Sequence, residues 1–141
     1  MTPVQAQLLL PLLLHAGWTV ALYVLLTWAR LVVVRRGEAR KADFARADGD
    51  PPLSARIQRN LANQYEAPAL AWAGAIVLIL SDHIAGADIA AAWLFLAGRL
   101  VHSGVQILTD DVALRGKVFV INFLGVLWLI GHAAWAVLAR T

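Results

Sequence analysis

Apolar residues in this chain are gathered into four long blocks. No side chain from Met1 to Trp28 is charged, and an uncharged stretch of 15 residues fills the interval between Glu66 and Asp82. A third block, Ile89 to Thr109, is interrupted by Arg99 alone, and a fourth covers the 22 residues from Val118 to Ala139. A helix needs roughly 20 apolar residues to cross about 30 Å of hydrocarbon. The first and last blocks suffice by themselves; the middle two suffice only if Glu66 and Arg99 enter the membrane. A soluble helical bundle would need a polar face on every helix, and Ala21–Trp28 and Phe123–Ile130 supply none. The pattern predicts an all-α membrane protein, an up-down bundle of four transmembrane helices at about residues 4–34, 54–81, 88–108 and 114–139, forming one domain over 1–141.

Punctuation along the chain fits these spans. Pro11 lies inside the first helix and frees the carbonyl of Gln7. Residues 35–53 are polar, contain Gly37 and Gly49 and close with Pro51-Pro52, which reads as a loop with a short helical start near Glu38–Ala45. Ser54 is the expected N-cap of the second helix, Pro68 predicts a kink in it, and Asp88 is the expected cap of the third. The first apolar run has no basic segment before it and is long for a signal sequence, so it reads as a retained span.

Charge adds an orientation. Eight of the twelve Lys and Arg residues lie between Arg30 and Arg59, Arg115 and Lys117 precede the last span, and the opposite side holds only Arg140. This asymmetry predicts cytoplasmic loops and both termini on the other face. Glu38, Asp43, Asp48 and Asp50 are interspersed with the basic loop residues, and Phe44 is the one aromatic among them, which argues against a nucleic-acid partner. Cysteine is absent, which excludes thiol catalysis by the protein, disulfides and thiolate metal sites. No metal-ligand cluster is visible.

The chemistry concentrates on two helix faces. Arg56, Arg59, Asn63 and Glu66 fall within an arc of about 80° on the second helix, and Arg99, His102 and Gln106 within about 60° on the third. Intramembrane charges face cavities or one another and are functional candidates by default. Glu66 and Arg99 both lie in the loop-side half of their spans and are expected to pair. Two readings follow. The cluster is a buried ion-pair network holding the bundle, or the surplus of Arg56, Arg59, Arg99 and Arg115 over Glu66 makes a pocket for a carboxylate ligand. His15 and His132 read as isolated histidines meeting local needs, and Asn122 as an interhelical hydrogen-bonding residue.

The run Arg56-Ile-Gln-Arg59-Asn60-Leu-Ala-Asn63-Gln-Tyr65-Glu66-Ala-Pro68 resembles the signature of the MAPEG family, the membrane-associated proteins in eicosanoid and glutathione metabolism. Gly98-Arg99-Leu-Val-His102-Ser103 resembles that family's second motif, and Leu114-Arg115-Gly116 the start of its fourth helix. The match runs in order and spacing from Arg56 to about Phe123.

This resemblance implies a homotrimer in the bilayer, with glutathione bound between helices of adjacent subunits near the cytoplasmic side. It assigns Arg56, Arg59, Asn63, Glu66, Arg99 and His102 to ligand binding and Arg115 to catalysis, as the cation that favours the glutathione thiolate. Arg30 aligns loosely with another family arginine. The implied activity is a glutathione transferase or peroxidase acting on a hydrophobic small molecule that arrives from the lipid. Gln106 and Phe119 stand where eicosanoid-processing members carry tyrosines, so these positions offer no hydroxyl. The competing expectation is a non-catalytic trimeric membrane protein whose polar cluster is structural or binds an anion. A small cation transporter would need a carboxylate in the first helix, where there is none. Ala-, Leu- and Arg-rich usage associates the chain with a bacterial inner membrane.

Overall fold

A computed structural model describes residues 1–46 and 49–140; Asp48, one of the loop acids noted above, lies outside them. Among the described residues, four spans are long and apolar enough to cross a membrane, over Pro3–Arg35, Pro52–Ser81, Gly86–Leu108 and Val112–Leu138. The chain is an all-α integral membrane protein, as its apolar blocks require.

Helix α1 (Pro3–Arg35) opens on a capping box in which Thr2 Oγ1 accepts from the Gln5 N–H and the Gln5 side chain accepts from the Thr2 N–H. It ends at Gly37, whose positive φ of 72° permits a Schellman closure: Gly37 N–H bonds Val34 O and Glu38 N–H bonds Val33 O. A 3-10 turn, Lys41–Ala45, follows in the loop.

The second span departs from the expectation of one kinked helix. It is two helices, α2 (Pro52–Ala62) and α3 (Ala67–Ser81), separated by four non-helical residues, Asn63–Glu66. Pro68 sits in the first turn of α3 and cannot donate to Gln64 O, so the continuous ladder fails there. Nor is Ser54 the N-cap. That position is Pro51, and the Ser54 hydroxyl donates to Pro51 O from inside the helix.

Helix α4 (Gly86–Leu108) begins two residues before Asp88, whose carboxylate reaches back to the N–H of Ala85. Helix α5 (Val112–Leu138) is N-capped by Asp111, which accepts from Leu114 N–H at 2.8 Å.

The helices α4 and α5 form the most extensive interface, and α3 packs mainly on α5, not on the α4 that follows it in sequence. Helix α1 covers α4 and α2 from the other side. Close approach depends on glycine. A Cβ on Gly74 would lie 2.8 Å from the Leu129 carbonyl, one on Gly125 2.6 Å from Ala91 O, and one on Gly98 would overlap the Asn122 side chain. Towards the chain termini the apolar core is formed by Leu8, Leu12, Ala75, Leu78, Phe95, Val126 and Leu129. Towards the loops it contains Leu22, Leu26, Ala29, Ile57 and Leu61. Outward positions such as Leu13, Val24, Val120 and Leu124 are exposed on the lipid face. Polarity is therefore inside and hydrophobicity outside.

Candidate functional site

A cleft of about 590 Å³ opens in the loop-side half of the bundle, between the α2–α3 break, the C-terminal half of α4 and the start of α5. Its walls carry Arg59, Asn63, Glu66, Arg99, His102 and Arg115, together with Gln106 and Phe119. Six of the seven residues singled out in the sequence thus meet at one cavity. Arg56 does not. It lines a small side pocket with Thr109 and Arg115, and its guanidinium is taken by the Asp110 carboxylate at 2.6 and 2.8 Å.

The break in the second span is what builds the wall. A helix passing through Asn63–Glu66 would spend the Asn63 carbonyl on its own ladder. Here that carbonyl is free, and Arg99 Nη2 donates to it at 2.6 Å. Arg99 Nε donates to Gln64 Oε1 at 3.2 Å. The expected Glu66–Arg99 salt bridge is not formed: Arg99, 1% exposed, instead donates to a backbone carbonyl and a neutral amide. Glu66 ends the break as the residue before α3 and keeps its carboxylate at the cleft. Among the described residues, neither Arg59 nor Arg115 forms an ion pair. A surplus of positive charge therefore faces the cavity.

Behind the cleft lies a network of neutral groups that inspection of charges overlooked. Gln64, Asn60, Ser103 and His15 are all buried. Gln64 Nε2 donates to Asn60 O at 3.0 Å and to Asn60 Oδ1 at 3.1 Å. Asn60 Nδ2 and Asn63 Nδ2 each donate to Gln106 Oε1 at 3.0 Å. His15 Nε2 lies 3.0 Å from Gln64 Oε1, and Trp18 Nε1 donates to Ser103 Oγ at 3.1 Å. Asn60 and Gln64 are four residues apart on the face that meets α4. That spacing of two amides within a membrane span was the available signal.

Phe119 contributes packing: it stacks on Phe123 with centroids 5.4 Å apart and meets the His102 ring edge-on. Asn122 does not bridge helices. Its Nδ2 returns to Val118 O in its own helix, leaving Oδ1 buried without a partner among the described residues. Arg30 stays away from the cleft, bound by Nε and Nη2 to the Asp50 carboxylate and by Nη2 to Gln58, with Phe44 over its guanidinium. These bonds hold the Asp50 carboxyl below the usual carboxylate range.

The isolated histidine of α5 also has a partner. Buried Asp88 accepts from Trp128 Nε1 at 2.9 Å, from the His132 ring at 2.8 Å and from Ala85 N–H at 2.7 Å. Around it, His132 stacks on Trp135, and Arg140 closes the turn by donating to Ser81 O.

Among the described residues no group of three or more His, Asp or Glu is arranged to hold a metal. The cleft can present an anion with cationic donors from two helices, a carboxylate for a ligand ammonium, and an aromatic wall for an apolar substituent. Neither the curated proteins nor the solved structures include a significant match to the chain. The family model of the MAPEG family matches residues 14–135. The chain belongs to the MAPEG family.

Proposed function

We propose that this MAPEG protein binds glutathione in the α2–α4–α5 cleft and activates it for attack on a lipophilic electrophile. The observation that carries the reading is the unneutralised cationic surface of Arg59 and Arg115 beside the Glu66 carboxylate. Glutathione offers carboxylates to the first and an ammonium to the second. Arg115 stands at the start of α5 and would favour the thiolate over the thiol through its positive charge. The thiolate then forms the C–S bond as the leaving group departs into water, or as an opened oxygen takes a proton from it. The electrophile reaches this point along the exposed apolar surface that includes Val112 and Phe119. In this reading the assembly is a homotrimer of a bacterial inner membrane, its basic loops are cytoplasmic, and both termini lie across the bilayer.

The second reading is ligand binding without turnover. It is favoured by the absence of any hydroxyl or thiol among the residues lining the cleft.

Calorimetric titration of the detergent-purified protein with glutathione tests the proposal. Binding at millimolar concentration or tighter is expected. In Arg59→Ala it should weaken by about tenfold or more, since a charge-assisted hydrogen bond is lost. Glu66→Gln should weaken it less. A folded protein that takes up no glutathione would sink the reading. A protein that binds it but forms no conjugate with a series of lipophilic electrophiles would leave the second.

A further inference from the structure

The amide network behind the cleft has a fixed direction, and that direction sets what the cleft offers to a ligand. Arginine has no hydrogen-bond acceptor, so the atom of Gln64 that receives Arg99 Nε must be the amide oxygen. A backbone carbonyl has no donor, so the atom of Gln64 that bonds Asn60 O must be the amide nitrogen. Gln64 is thereby oriented from both sides. Its nitrogen also donates to Asn60 Oδ1, so Asn60 Nδ2 is the donor to Gln106. Asn63 Nδ2 donates to the same Gln106 oxygen. Turning any one of these amides over would set donor against donor or acceptor against acceptor in a buried network, which is costly.

Gln106 Nε2 is left over. It has no partner among the described residues and is not among the polar atoms sealed from solvent, while Gln106 itself lines the cleft. Gln64 does not line it.

We propose that Gln106 is a specificity-determining residue that presents a neutral N–H donor to an acceptor atom of the ligand, a carboxylate or carbonyl oxygen, and that Gln64 and Asn60 are positioning residues which fix its orientation from outside the cleft. The ligand identity rests on the glutathione reading above; the direction of the relay does not. A carboxamide does not titrate, so this donor is equally available at every pH the protein survives.

The test is calorimetric titration of the full-length protein with glutathione at pH 7.5 and pH 5, for wild type, Gln106→Glu, Gln106→Met and Gln64→Glu. Gln106→Glu keeps the acceptor for both asparagines but loses the donor; affinity should fall about tenfold or more at pH 7.5. At pH 5, still above the ordinary glutamate value of about 4.3, the loss should persist. Gln106→Met should weaken binding by a similar factor at both pH values, which separates loss of a donor from added charge. Gln64→Glu should weaken it about fivefold at pH 7.5 from a position outside the cleft, because it can no longer donate to Asn60. Wild-type affinity in Gln106→Met would overturn the role of Gln106, and wild-type affinity in Gln64→Glu would overturn the relay. If wild type itself ignores glutathione, the glutathione reading fails, and the same comparisons are made with inorganic sulfate. Sulfate binding indifferent to Gln106→Met, or no sulfate binding, would then overturn this inference too.

Discussion

The two ends of this bundle both bury charge, and they do so in opposite ways. At the end near the termini, the Asp88 carboxylate is fully buried and saturated by three donors from its own chain. Helices α3, α4 and α5 close over it through glycine contacts. At the loop end the guanidinium of Arg99 makes two hydrogen bonds, to Gln64 and to the Asn63 carbonyl, while among the described residues Arg59, Arg115 and Glu66 around it form no ion pair, and the helices stand apart around a cavity. Buried charge alone does not distinguish a staple from a site. What distinguishes them is whether hydrogen-bonding capacity is left over.

Four measurements bear on that contrast. The largest effect is expected for Asp88→Ala, which removes a buried carboxylate and leaves its three donors, Trp128, His132 and the Ala85 N–H, without their acceptor, and should cost about 3 kcal/mol of stability. Unfolding by SDS titration reads the loss, and glutathione affinity should stay within about twofold of wild type; a matching fall in affinity would mean the two ends are coupled. The second is a pair, Gly125→Ala and Gly98→Ala. Each overpacks the α4–α5 interface and should cost about 1–3 kcal/mol. Only Gly98→Ala pushes on Asn122, one turn from Phe119, so it alone should weaken binding, by about fivefold.

The third concerns the loop clamp. Because Arg30 lowers the Asp50 pKa, its stabilisation is fully present above the ordinary carboxylate value of about 3.9 and is lost only as pH falls through the lowered one. Wild type should therefore exceed Asp50→Asn in thermal midpoint by a constant margin from pH 7 to pH 5, and the two should converge below about pH 4. The smallest effect belongs to Arg56→Ala. Its partner Asp110 is 86% exposed, so the pair should contribute no more than about 1 kcal/mol. A large loss of binding in that variant would return Arg56 to the site.

Most of the frame was legible in sequence. Blocks free of charge locate the four spans, because the bilayer leaves a helix no alternative. The helical repeat brings Arg59, Asn63, Glu66, Arg99 and His102 to one region even though Asn63–Glu66 is not helical, since α2 ends only just before it. What stayed hidden was pairing. Opposite charges suggested Glu66 with Arg99, but a broken helix offers carbonyls that compete for a guanidinium, and no local pattern announces them. Asn60 and Gln64 carry no charge to flag them. Asp88 and His132 are 44 positions apart, and each had an adequate local explanation, as a helix cap and as a solitary imidazole.

The interruption of the second span also bears on the bilayer. Helix α3 has 15 residues, about 22 Å of helix, against a hydrocarbon thickness of about 30 Å. The remaining length of the 30-residue span is supplied by α2, which carries Arg56, Arg59 and Asn60. The shortfall falls at the end where the cleft lies. The cleft accordingly opens where an apolar helix hands over to a polar one, the level at which a water-soluble ligand and a lipid-dissolved one would meet.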